Sequence, residues 1–289
     1  MNFRNVRVSR RSATVLAVLI GTLSLGIGAH AALYKRVTEP STLAAVPSSD
    51  AKGAARVALV IGNSRYPDAN APLVHPVNDA RALAAELRRD GFEVETIEDA
   101  GKKDMRAAVE RLKARIRPDA VAMLFFAGYG VQAGRENYMI PVDAAIWREA
   151  DVRREGTSIE SVLEAMKERG ARAKLVVVDA SRRNPYERRF RFYSHGLAPI
   201  AAPDNALILS SATPGQVVDD GSGGPHSLLV SELLNNLNSP AAASAIFSKT
   251  RLAVAKASNG RQVPVLSSSL LDEIRFDAAA TSDVAKAGS

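Results

Sequence analysis

Short apolar runs alternate with longer segments of helical period along most of this chain, and that alternation limits it to few architectures. Val57 to Ile61, Phe92 to Ile97, Ala120 to Phe126, Leu175 to Val178 and Ala206 to Leu209 have the make-up of strands covered on both faces. Asn78 to Arg89 places Ala80, Leu83, Ala84 and Leu87 at helical spacing and meets a stop signal at Gly91. Lys103 to Ile116 does the same with Met105, Val109, Leu112 and Ile116 before Pro118. Ile159 to Glu168, Ser227 to Leu237 and Ala241 to Ser258 complete the helical segments. Parallel strands need crossovers and antiparallel ones do not, so strand, helix, strand in succession predicts a mainly parallel sheet between helices, an α/β fold. A low aromatic share of 5% alongside abundant Ala, Val and Leu agrees with helices packed on a sheet. In such a sheet, ligands bind beyond the carboxyl ends of the strands.

The ends of the chain have a different make-up. Arg4, Arg7, Arg10 and Arg11 precede an apolar run from Ala13 to Ala29, and Ala29-His30-Ala31 follows as a small-x-small pattern. This is the layout of a secretory signal. An uncleaved anchor competes, because extending the run to Tyr34 approaches the roughly 20 residues that span a bilayer. Residues 1–36 are thus expected to be a signal peptide or an anchor. Ser9-Arg10-Arg11 hints at a twin-arginine signal, but Ser12-Ala13-Thr14 stands where a hydrophobic pair is expected. Either way the body is expected outside the cytoplasm, periplasmic or anchored to the outer face of the cytoplasmic membrane. Residues 37–55, rich in Pro, Ser, Ala and Gly, have the character of a flexible linker. The folded domain is expected over 56–276, and 277–289 offers nothing to pack.

Two loops after expected strands draw attention. One is Ala127-Gly128-Tyr129-Gly130-Val131-Gln132, where two glycines around one large side chain suggest a sharp, exposed presentation or simply a tight turn that needs glycine. The other is Asp179-Ala180-Ser181-Arg182, with Ser181 where many α/β enzymes hold a nucleophile.

An ordered series of segments resembles the caspase-like peptidase family, specifically its bacterial caspase-homology and metacaspase-like branch. Val57-Ala-Leu-Val-Ile-Gly-Asn63 with Tyr66 is similar to its opening strand, and Asn78-Asp79-Ala80 with Leu87 and Gly91-Phe92 to its first helix. Asn137-Tyr138-Met139-Ile140-Pro141-Val142-Asp143, Asn184-Pro185, Gly196-Leu197-Ala198, Ala212-Thr213-Pro214-Gly215, Asp219-Asp220-Gly221, Ser227, Gln262-Val263-Pro264 and Ser269-Leu270 follow in order. The resemblance runs over roughly residues 56 to 271, and a series is more specific than any one motif. It implies a caspase-like three-layer sandwich with a mainly parallel sheet of about six strands. It also implies a histidine between the two glycines and a cysteine after Asp-Ala. This chain has Tyr129 and Ser181 there, and it contains no cysteine, which excludes disulfides, zinc-thiolate sites and thiol nucleophiles.

A serine hydroxyl needs a base within about 3 Å. A tyrosine with a pKa near 10 is a poor one. Of four histidines, His30 lies in the signal, while His75, His195 and His226 lie in loops. The expectation is therefore an inactive pseudo-peptidase that binds a peptide or protein ligand in the former substrate cleft, with no catalytic residue at the degenerate positions Tyr129 and Ser181. The alternative is a hydrolase that pairs Ser181 with a relocated histidine.

Asp179 stands where metacaspase-like relatives hold an acidic residue that selects Arg or Lys, so the resemblance implies a basic-segment binder. Capping of the adjoining turn is the structural alternative. Gly128, Gly130, Asp179 and Arg182 are the expected binding residues. Arg182, Arg183, Arg188, Arg189 and Arg191, interleaved with Tyr186, Phe190, Phe192 and Tyr193, are either a contact for an anionic membrane surface or solvated arginines on a loop pinned by its aromatics. The net charge of +7 names no partner by itself, and no nucleic-acid module, Walker loop or dinucleotide fingerprint is present. No cofactor and no metal are expected. Asp204, Asp219 and Asp220 are weak candidates for calcium.

Overall fold

The structure is a computed structural model that describes residues 54–67, 72–190, 196–219 and 223–276. The expected signal or anchor, nearly all of the linker and the C-terminal tail lie outside the described residues, as do His195, Asp220, Arg191, Phe192 and Tyr193.

A six-stranded sheet forms the middle layer in the order β2-β1-β3-β7-β8-β9. Its members are β1 (Arg56–Gly62), β2 (Glu93–Glu98), β3 (Val121–Ala127), β7 (Ala173–Asp179), β8 (Ala206–Ser210) and β9 (Val265–Ser268). All neighbours are parallel except β8 and β9. Strands β1, β3 and β7 are apolar on both faces and almost wholly buried, as parallel strands under two helical layers must be. On one face α1 (Pro76–Arg89), α5 (Leu228–Leu237) and α6 (Ala243–Ala257) bury Leu83, Leu87, Leu233, Ile246 and Phe247 against Val60, Phe125 and Val177. On the other, α2 (Lys102–Arg115) and α4 (Ile159–Glu168) bury Met105, Leu112, Leu163 and Met166 against Leu59, Phe126 and Val178. This is the three-layer α/β sandwich expected.

The structure corrects one strand and adds elements that the pattern did not reveal. β2 is not covered on both faces: it is the sheet edge and only partly buried. Glu93, Glu95 and Glu98 point to its true state, and Arg111, Arg115 and Arg81 meet them from the neighbouring helices. Phe92 lies outside this strand; its ring packs 6.1 Å from Phe276 beneath Arg56. A second, antiparallel sheet of β4 (Gly130–Ala133), β5 (Glu136–Met139) and β6 (Thr157–Ser158), together with α3 (Glu149–Glu155), forms between β3 and α4. Its hairpin residues alternate too briefly to show as strands by themselves. Val131, Tyr138, Ile146 and Val152 build a small core of their own with Tyr66, Tyr129, Tyr186 and Phe190.

Candidate functional site

Register sets the geometry at the carboxyl end of the sheet. Ala127 pairs with Asp179 as the last partners of β3 and β7, so Tyr129 and Ser181 each lie two residues beyond a matched pair on neighbouring strands. Two backbone bonds continue the stitching past the strand ends: Gly128 N donates to Asp179 O at 3.3 Å and Gly130 N to Ala180 O at 3.2 Å. The two positions that the sequence singled out are brought side by side.

Tyr129 is buried, in contrast to the exposed presentation that its glycine flanks suggested. Its ring meets Tyr66 edge-on at 4.7 Å, its N–H donates to the Tyr66 hydroxyl at 3.0 Å, and that hydroxyl donates to Ile140 O at 3.0 Å. Burial pushes the Tyr66 hydroxyl far above its ordinary pKa, so it acts as a neutral strut. The glycines serve this packing. A Cβ on Gly128 would lie 2.5 Å from the Tyr66 hydroxyl, and one on Gly130 would lie 2.9 Å from Ala180 O. Both are close-approach glycines.

Ser181 is equally buried. Its N–H donates to Ser211 Oγ at 3.3 Å and its carbonyl accepts from Val218 N at 2.7 Å. Among the described residues its hydroxyl is bonded to no imidazole. His226 is engaged elsewhere: its Nδ1 is 2.9 Å from Asp79 Oδ1, while Ser227 N donates to both Asp79 oxygens. His75 is buried at the start of α1.

Asp179, at the end of β7, accepts from Arg182 Nη1 on Oδ1 at 3.0 Å, and both side chains are almost fully enclosed. The carboxylate makes an ion pair where the sequence suggested a turn cap or a ligand seat. A cavity of about 450 Å³ opens against this pair, bordered also by His75, Asp219, His226 and Ser231. Its walls come from the ends of β7 and α6 and the starts of α1 and α5. Asp79 sits behind it, its pKa pushed up to about 7 by burial and then by the nearby Asp179, against the Ser227 hydrogen bonds that favour its charged form.

Of the expected binding residues, Asp179 and Arg182 border the cavity, while Gly128 and Gly130 serve the aromatic packing beside it. Sequence reasoning missed the Asp79 and His226 pair. A signal was available, because Asp79 lies four residues before Leu83 on the apolar stripe of α1, where a carboxylate needs a buried partner. The arginine loop divides: Tyr186 and Phe190 are buried and Arg189 stacks 4.6 Å over Trp147, while Arg183 is mostly exposed. Asp204 precedes β8 at the opposite end of the sheet from Asp219, so they cannot share an ion. Among the described residues no group of three or more His, Asp or Glu could hold a metal, and no helix is long and apolar enough to cross a membrane.

The human "Mucosa-associated lymphoid tissue lymphoma translocation protein 1" is 31% identical over 137 residues, 46% of this chain, and the mouse homolog is 30% identical over the same length. The aligned segment is 16% of each of those proteins, so the likeness concerns one portion of them. The model of the caspase domain, peptidase C14, matches residues 55–275, and the chain belongs to that family.

Proposed function

We propose that this caspase-homology domain is an exported or membrane-tethered pseudo-peptidase that holds a basic peptide segment in the former substrate cleft without cleaving it. The observation that carries this reading is the state of Asp179: a buried carboxylate beside a cavity, two residues before a Ser181 hydroxyl that, among the described residues, is bonded to no imidazole. Charge-assisted hydrogen bonds to such a carboxylate hold a cationic side chain without breaking a bond. Absence of any cysteine removes the thiolate chemistry of the family, and Tyr129 is locked into aromatic packing where a proton acceptor would be needed. Export rests on the arginine-flanked apolar run at the N-terminus. Contact with an anionic membrane surface rests on the arginine loop, and liposome flotation that does not depend on lipid charge would remove it.

A second reading has one observation in its favour. Asp79 orients His226 as the acid of a hydrolytic triad orients its base, and this histidine borders the same cavity. A fluorophosphonate probe on the purified chain separates the two. Labelling is expected to be absent, and labelling lost in Ser181→Ala would establish the hydrolase. Binding is tested with fluorescent tetrapeptides ending in lysine, arginine or norleucine. Basic peptides should bind in preference to the norleucine control, and Asp179→Asn, shown to be folded by circular dichroism, should lose that preference.

A further inference from the structure

The two oxygens of Asp179 have different surroundings. Oδ1 is held by Arg182 at 3.0 Å inside the protein. Oδ2 is also buried, yet among the described residues it has no hydrogen-bond partner. A buried carboxylate oxygen left unpaired is costly, and this one belongs to a side chain that borders the cavity. That is the mark of a seat for a donor supplied from outside.

The chemistry of the donor follows from what is already taken. A guanidinium gains its advantage over an ammonium by placing two parallel N–H groups on the two oxygens of one carboxylate. Arg182 occupies one of those oxygens, so an incoming guanidinium would find a single acceptor and would bring planar bulk against another guanidinium. An ammonium is compact and is satisfied by one carboxylate oxygen with neighbouring hydroxyls. Ser231 and the rim carboxylate Asp219 border the same cavity.

We propose that Arg182 is the specificity-determining residue of this pocket: by holding one oxygen of Asp179 it leaves a single-acceptor seat that takes a primary ammonium, a lysine side chain, in preference to an arginine. This rests on the reading of the cleft as a basic-segment site. The test uses the full chain and the same three tetrapeptides, with dissociation constants measured by fluorescence anisotropy. The wild type should bind the lysine peptide at least about five-fold more tightly than the arginine peptide, the worth of one charge-assisted contact. Arg182→Gln, which frees Oδ1, should bring the arginine peptide level or ahead. A wild-type ratio of one or below overturns the proposal, as does a ratio that Arg182→Gln leaves unmoved. If that variant fails to fold, the wild-type ratio alone decides. Failure of the underlying reading would look different, because neither basic peptide would then bind better than norleucine.

Discussion

The loops after β3 and β7 begin from paired residues on adjacent strands, yet one is packed as aromatic core and the other borders a cavity. At Tyr129 the N–H donates to the Tyr66 hydroxyl and the carbonyl accepts from Ile140 N, and the ring completes a small aromatic core with Tyr66. Around Asp179 the chain has buried an ion pair, and beside a cavity one carboxylate oxygen has no partner among the described residues. The contrast teaches that two loops starting from a matched pair need not be built alike. A position whose side chain can be absorbed by neighbouring apolar groups becomes core. A buried carboxylate cannot be absorbed, and it must keep a cation or stay exposed to one.

The largest test of this contrast is Asp179→Ala, which removes the carboxylate from the buried Asp179–Arg182 ion pair. Removing one partner of a buried pair costs about 3–5 kcal/mol, and urea unfolding should show a loss of that size. A loss below about 1 kcal/mol would mean the pair is not structurally required. Tyr129→Ala should cost about 3 kcal/mol through the lost ring packing, while the lysine peptide still binds. Lost binding in a folded variant would mean that the packed loop is part of the site.

Asp79 supplies a test of pH dependence. It faces His75 from the start of α1, Asp179 from the end of β7, and His226 and Ser227 from the start of α5. Its pKa in the folded chain, about 7, lies above its ordinary 3.8. Between those values the folded protein keeps a proton that the unfolded chain has released, so stability falls as pH rises through that window and levels off above it. The fall should be about 2–4 kcal/mol by urea unfolding and should vanish in Asp79→Asn. A flat profile in the wild type would place the carboxylate outside the buried pair. Smallest of all is Arg183→Ala. This arginine adjoins Arg182 in the chain but bonds Glu187 at the surface, with its side chain 76% exposed, and its loss should leave stability and peptide binding unchanged. A measurable loss would mean that the loop, and not the buried pair alone, holds the pocket.

Much of the fold was legible because its signals are local. Runs such as Ala120 to Phe126 could only be strands under two helical layers, and the stripes of α1 and α2 named their buried faces. The β2 edge was misjudged because its apolar residues were weighed without the glutamates between them. The antiparallel sheet escaped because strands of four residues or fewer carry too little period. Within the site, the family resemblance placed Tyr129, Asp179 and Ser181, but it did not pair Arg182 with Asp179 or Asp79 with His226. The second pair joins residues 147 positions apart, a distance across which nothing in the chain's pattern reports contact.

What the sequence determined by itself was the chemistry that the chain can offer: a layered α/β fold, no thiol, a tyrosine and a serine at two loop positions, and an acid two residues before the serine. Those are properties of residue types and spacing, and no arrangement in space can alter them. Only the tertiary structure decided which groups had spent their bonds. Hydrogen-bond capacity is consumed by whatever the fold brings near, so it took the packing of α1, α5 and β7 around one cavity to give Asp179 one occupied oxygen and one that, among the described residues, is unpaired.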